Sequence, residues 1–308
     1  MKFIKNKAVK IIFIIFSGIL ILFILLVLLV LKEFQKEISQ AVGKEMKLFD
    51  TIKAVTTLNY DSQEEKEFKR KSQKEQINDI SVYYAPKLQG IVPLTKETLQ
   101  RADHVTKKYL GNYKNKSVDL LFIDPKDLKT FSTLKDISGF YSDFDKVIAI
   151  GLNVGEVENI IQKKETPLYL FQKSILHEYT HYATYRKLDE MGTNTTMNDF
   201  PVWFIEGIAE YIGNDENHLD YHSFEPTFIN FERLNTHEQW ENARLLEDVN
   251  PYLQGYFTVA YLINTYGQNI ISTLLEETYI SKDFYQTLHD VTGINIEEFE
   301  NEVSNYYQ

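Results

Sequence analysis

An unbroken apolar run lies near the start of the chain: residues 11–31 include no charged side chain, and only Ser17 and Gly18 interrupt the large apolar ones. A helix needs about 20 such residues to cross a bilayer core, so the run predicts a transmembrane helix. It is longer than the apolar core of a cleavable signal peptide, and no small-x-small cleavage site follows it. Behind it Phe34, Ile38, Ala41, Leu48, Ile52 and Val55 recur mostly at three- and four-residue steps, the period of an amphipathic helix. This reads as a stalk broken near Gly43, either lying on a neighbouring surface or pairing as a coil. Residues 61–76 are nearly all charged or polar, which predicts a solvated linker or an exposed helix.

From about Ser81 the pattern becomes that of a packed domain. Val82-Tyr83-Tyr84, residues 118–123 and residues 146–152 are short runs of strand-favouring residues, and 95–110 reads as a helix closed by Gly111. Beyond Thr166 the periodicity is mainly helical. One helix is expected to start with Thr166 as N-cap and Pro167 in first position and to stop at Gly192. A second should start at Asp199 or Phe200 ahead of Pro201 and stop at Gly213. The expected fold class is α+β, with a small mixed sheet and a helical C-terminal part.

Composition narrows the function. The chain has 308 residues, 44% hydrophobic and 14% aromatic, enough for a substantial core. The absence of cysteine excludes disulfides and thiolate metal sites. A net charge of −11 argues against nucleic acid as a partner, since phosphate binding needs a concentrated basic face. Lys2, Lys5, Lys7 and Lys10 precede the apolar run without an acid among them, whereas Lys32, Lys36, Lys44 and Lys47 follow it more sparsely. That asymmetry favours a cytoplasmic tail over residues 1–10, a signal anchor in the lipid bilayer over 11–31, a helical stalk and charged linker over 32–80, and an extracytoplasmic domain over 81–308.

The chemistry is carried by His177-Glu178-Tyr179-Thr180-His181. Histidines at i and i+4 present two imidazoles on one helix face, and the adjacent glutamate can act as a base. At 100° per residue Leu168, Phe171, Ile175, Tyr179 and Tyr182 form an apolar stripe, with His177 and His181 roughly opposite. Catalytic zinc takes three protein ligands and keeps one position open, so a third is required. Trp203-Phe204-Ile205-Glu206-Gly207-Ile208-Ala209-Glu210-Tyr211 supplies it: two carboxylates on one face of an otherwise apolar helix need partners if they are buried. Glu206 is assigned as the third ligand and Glu210 as acceptor for a histidine N–H; an exposed helix with two solvated glutamates is the plainer alternative. Gly207, costly inside a helix, suggests that the histidine helix approaches there. His218 and His222 repeat the i, i+4 spacing, but their Asn-Asp-Glu-Asn surroundings read as a polar loop.

The motif pair His177–His181 and Trp203–Tyr211 resembles the gluzincin zinc metallopeptidases, especially the peptidase MA-like families and the catalytic subdomain of bacterial collagenases. The likeness extends through Tyr256 to Gly267 and the final stretch from Val291 to Glu300, but not to the collagenases' activator domain or collagen-binding modules. It implies a zincin, thermolysin-like fold, and Zn2+ held by His177, His181 and Glu206. It further implies peptide or protein substrates hydrolysed by a zinc-bound water that Glu178 activates. In such families a downstream tyrosine or histidine stabilises the oxyanion, which makes Tyr256 the first candidate and Tyr252 the second. An edge strand ahead of the active helix aligns the substrate backbone, a part that residues 146–152 are expected to play. The rival expectation is a non-catalytic extracytoplasmic binding or sensory domain on the same fold. An intramembrane protease is disfavoured because the motif lies far beyond the apolar run.

Overall fold

A computed structural model describes residues 2–41, 47–49, 51–52, 61–132, 137–192, 197–218 and 225–307. Gly43 and Val55 of the expected stalk, and His222, lie outside these residues. The chain divides into two units, one made of residues 1–68 and 129–135 and the other of 69–128 and 136–308. The first contains helix α1 (Lys2–Ala41), within which Lys10–Lys36 is long and apolar enough to cross a membrane. Its side chains from Ile11 to Val30 are largely exposed. Helix α2 (Gln63–Lys71) begins in this unit, its start closed reciprocally by Ser62 and Glu65.

The second unit is built on a five-stranded sheet in the order β1-β2-β3-β5-β4. Strand β1 (Gln73–Ile77) pairs antiparallel with β2 (Ile80–Tyr84), and β2, β3 (Val118–Ile123) and β5 (Val147–Gly151) run parallel. The four-residue β4 (Gly139–Ser142) closes the order antiparallel to β5, with Tyr141 opposite Ile148. Two expectations change here. Residues 73–77 form a strand where a linker or helix was expected, because a sheet edge with only Ile77 buried has no apolar alternation to read. The strand expected over 146–152 is interior, flanked by β3 and β4, so it cannot be the edge that aligns a substrate. Among the described residues the edge strand on that side of the sheet is β4.

Helices cover the rest: α3 (Val92–Leu110), α4 (Val157–Ile161), α5 (Glu165–Met191), α6 (Val202–His218), α7 (His237–Arg244), α8 (Pro251–Tyr266), α9 (Ile270–Ser281), α10 (Phe284–Thr292) and α11 (Ile296–Tyr307). The protein is therefore a mixed α+β chain, mostly helical, with a small sheet and one apolar N-terminal helix. Helix α5 starts slightly earlier than expected. Lys164, in extended conformation, is its N-cap, so Pro167 falls in the first turn rather than at its first position. It ends, as the sequence predicts, at Gly192, whose φ of 124° is one that side-chain-bearing residues rarely adopt.

Helix α5 lies against β4 and β5, with Phe171 stacked on Phe122 of β3 at 5.8 Å. Behind it, Tyr179 donates to Asp103 of α3 (3.1 Å) and Tyr182 to the Lys116 carbonyl (2.8 Å). Helix α6 does not stop at Gly213 but runs to His218. That glycine sits where α5 comes close, since a Cβ there would lie 3.4 Å from the Cβ of His177. At Gly207 the near neighbour is α8 rather than the histidine helix: a Cβ would sit 2.7 Å from the Gly255 carbonyl oxygen and 2.9 Å from Val259. The buried Trp203, stacked on Phe231 at 4.4 Å, secures the other end of α6.

Candidate active site

Adjacent helices α5 and α6 bring His177, His181 and Glu206 together. The two Nε2 atoms are 3.2 Å apart, Glu206 Oε2 lies 3.4 Å from His177 Nε2, and Glu206 Oε1 lies 3.6 Å from His181 Nε2. Ligands about 2.0–2.2 Å from a tetrahedral zinc ion are separated by roughly 3.4 Å. All three spacings fall near that value, so the donor set fits a common ion, with two neutral nitrogens and one carboxylate as zinc prefers. The three side chains are half-buried, which leaves access from one side.

Helix α6 holds His177 at both ring nitrogens. Its Nδ1 is 3.0 Å from Glu210 Oε1, while the other Glu210 oxygen pairs with Lys173 Nζ at 2.8 Å. Asn214 donates to the Glu210 backbone carbonyl (2.8 Å) and in turn accepts from Tyr169. Lys173 was not among the residues singled out from sequence, although it precedes His177 by four positions and so shares its face. Burial works against ionising Glu206, but the electrostatic influence of His181 and hydrogen bonds from both histidines outweigh it and hold the carboxyl well below its usual range. Glu210 is likewise held low, to about 2, against burial, by His177 and then Lys173.

Glu178 is buried on the β4 side of α5. A Cβ added to Gly139 would lie 3.1 Å from Glu178 Cγ and Oε1 and 2.7 Å from the Ala149 carbonyl oxygen, so only glycine lets strand and carboxylate meet. Burial pushes the Glu178 carboxyl up; the two histidines oppose this, and Glu206 and Glu210 add to it. Gly139 carries no sequence signal of its own.

A cleft of about 720 Å³ opens beside these groups, and its lining includes His177, Glu178, Glu210, Gly139, Arg244 and Tyr252. Tyr256, the first candidate for the oxyanion donor, is not in that lining. Its ring packs 5.7 Å from Tyr211 and 5.4 Å from Phe257. Residues four apart share a helix face but stand about 6 Å apart along the axis, and it is Tyr252 that reaches the cleft, 6.3 Å from the His177 ring. The Arg244 guanidinium lies 5.5 Å over the Tyr252 ring, and Trp240 meets its edge at 5.1 Å. Burial and the Glu206 charge push the Tyr252 hydroxyl's pKa up, against the pull of Arg244, which keeps a proton available for donation.

The collagenase family, Peptidase_M9, matches residues 158–306, a span that contains His177, Glu178, His181, Glu206, Glu210 and Tyr252 but not Gly139 of β4. YhcO of Bacillus subtilis (strain 168), an uncharacterized protein, is 33% identical over 236 residues, covering 76% of this chain and 71% of its own. Residues 158–306 belong to the collagenase peptidase family. That family consists in general of zinc metallopeptidases, which suggests proteins or peptides as substrates. Among solved structures, native yeast LTA4 hydrolase aligns over 75% of this chain and 38% of its own, with 12% identity and a TM-score of 0.37, too distant to bear on fold or activity.

Proposed function

We propose that the protein is a membrane-anchored, zincin-type metallopeptidase that hydrolyses peptide bonds, with zinc held by His177, His181 and Glu206 and with Glu178 as general base. The observation that carries this reading is the triangle of donor atoms at 3.2, 3.4 and 3.6 Å, whose His177 lines the cleft together with the adjacent Glu178. A bound zinc ion would supply a Lewis acid that polarises the scissile carbonyl and acidifies water. Glu178 takes the proton of the attacking water and returns it to the departing amine. The Tyr252 hydroxyl donates to the oxyanion as the carbonyl becomes tetrahedral. Glu210 fixes the tautomer of His177 by accepting its Nδ1–H, so that the Nε2 lone pair faces the metal position. Strand β4 aligns the substrate backbone by accepting it as one more strand.

In the same reading residues 1–10 are cytoplasmic, 11–31 anchor the chain in the membrane, and the stretch after them leads to an extracytoplasmic peptidase domain whose sheet begins at Gln73 rather than at residue 81. The support is the exposed apolar stretch of α1 and the denser lysines ahead of it. The test is zinc content and cleavage of a quenched peptide library by the full chain and its Glu178→Gln variant. One zinc per chain in both, with cleavage by the parent only, is the expected outcome. Zinc without cleavage by the parent would point to a non-catalytic binding domain, and no zinc would overturn the site.

A further inference from the structure

Strand β4 is fastened to α5 at both of its ends. At one end Gly139 abuts Glu178, and at the other Asp143, directly after the strand, pairs with Arg186. Between them the Tyr141 ring stands 5.9 Å from that of Tyr182 and 5.5 Å from that of Tyr185. Glu178, Tyr182 and Arg186 follow one another at helical i, i+4 steps and so form one stripe of α5. From Gly139 to Asp143 a strand advances about 13 Å, and from Glu178 to Arg186 a helix advances about 12 Å. The two elements therefore keep pace, and each position of β4 has a fixed neighbour on the helix.

The arginine is deeper than its partners. Its side chain is 0% exposed, against 26% for Asp143 and 41% for Asp189, which it also meets at 2.9 Å. The guanidinium lies 5.6 Å over the Tyr182 ring, and Asp143 is further held by Lys146 at 2.7 Å and by the Tyr141 hydroxyl, which donates to it at 2.6 Å. Burying such a charge costs much of what its pairing gains, and apolar side chains of similar volume often stabilise a fold as well. What they do not supply is register, because a guanidinium fork fits a carboxylate only in a narrow range of positions. A peptide added antiparallel to β4, the more stable pairing, passes the Asp143 end first and the Gly139 end last. Its residues ahead of the scissile bond therefore lie along the part of the strand that Arg186 secures.

Resting on the catalytic reading above, we infer that Arg186 is a positioning residue: its ion pair with Asp143 sets the height of β4 along α5 and so aligns the substrate backbone ahead of the cleaved bond with Glu178. The test compares long peptides, which extend ahead of the bond as far as the four-residue β4 can pair, with short ones that begin at the residue before the bond. In the zinc-loaded full chain the long peptides should have a KM about tenfold lower, the equivalent of one or two backbone hydrogen bonds. Arg186→Met should erase that margin while kcat on short peptides stays within about twofold of the parent. Arg186→Met combined with Asp143→Leu should regain stability to urea, since an apolar pair replaces the buried ions, without regaining the margin; it carries the same comparison if Arg186→Met alone does not fold. A margin that survives Arg186→Met, a KM that rises equally for both lengths, or a margin that returns together with stability in the paired variant overturns the inference and leaves the catalytic reading intact. A parent that cleaves neither peptide removes the catalytic reading, and calorimetric binding to zinc-loaded Glu178→Gln, with and without Arg186→Met, then decides the inference by itself. Tighter binding of the long peptide that is lost with Arg186→Met upholds it, and an equal margin in both proteins, or none in either, overturns it.

Discussion

Two glycines of α6 should respond to the same substitution with opposite signs. Replacing a helical glycine by alanine gains about 0.8–1.0 kcal/mol in helix propensity wherever the methyl fits. At Gly213 the nearest atom to an added Cβ is 3.4 Å away, an ordinary van der Waals contact, so Gly213→Ala should be neutral or stabilising by up to about 1 kcal/mol. At Gly207 the added carbon meets a backbone carbonyl oxygen at 2.7 Å and Val259 at 2.9 Å. Because Gly255 on the facing helix is itself in contact, with its own Cβ position 3.0 Å from Gly207 Cα, neither backbone can yield without parting α6 from α8. Overpacking costs typically 1–3 kcal/mol, and against backbone the upper part of that range applies, so Gly207→Ala should be destabilising by about 1–2 kcal/mol net of the propensity gain. Both tryptophans, Trp203 and Trp240, are buried beside these helices, so urea unfolding of the metal-free chain in detergent, followed by their fluorescence, reads the difference. Equal stability of the two variants, or a stabilised Gly207→Ala, would refute the close α6–α8 crossing and with it the placement of Glu206.

Glu210→Ala should weaken zinc binding about 10–100-fold, because it strips the 3.0 Å acceptor from His177 and leaves Lys173 without its partner; competition with a fluorescent chelator measures it, and a change under twofold counts against the assignment. Tyr252→Phe should lower kcat by about 10²–10³ with little change in KM, while Tyr256→Phe stays near the parent; the reverse order in steady-state kinetics would restore Tyr256 as the donor. Removing metal with a chelator should abolish cleavage, with recovery on stoichiometric zinc, and raise susceptibility to urea, since an ion bound only by the folded state adds to its stability.

The parts of the site legible in the sequence are those a single helix specifies. His177, Glu178 and His181 are fixed relative to one another by α5, and Glu206 and Glu210 by α6, so the helical period shows which of these groups share a face. What spacing could not supply was where helices cross. Tyr252 and Tyr256 share a face of α8, and the choice between them depends on the Gly207–Gly255 contact, which sets how far along α8 the cleft lies. The same long-range packing kept α6 running through Gly213. In the sheet, the interior β3 and β5 are apolar runs that sequence reading finds. The edge strands escaped it, β1 because its residues are polar and β4 because four residues, one of them Gly139, carry too little pattern.

Those two edges differ in a way that bears on self-association. Exposed strand edges invite other chains to pair, and proteins guard them with charge or by keeping them short. Strand β1 carries Lys74 and Glu75 and is protected in the first way. An edge that admits a foreign backbone, as proposed for β4, cannot be charged indiscriminately, and Gly139, Phe140, Tyr141 and Ser142 carry no charge at all. Its brevity is the safeguard: a partner finds only a few hydrogen bonds there, enough to hold an extended peptide for one turnover and too few to seed a growing fibril.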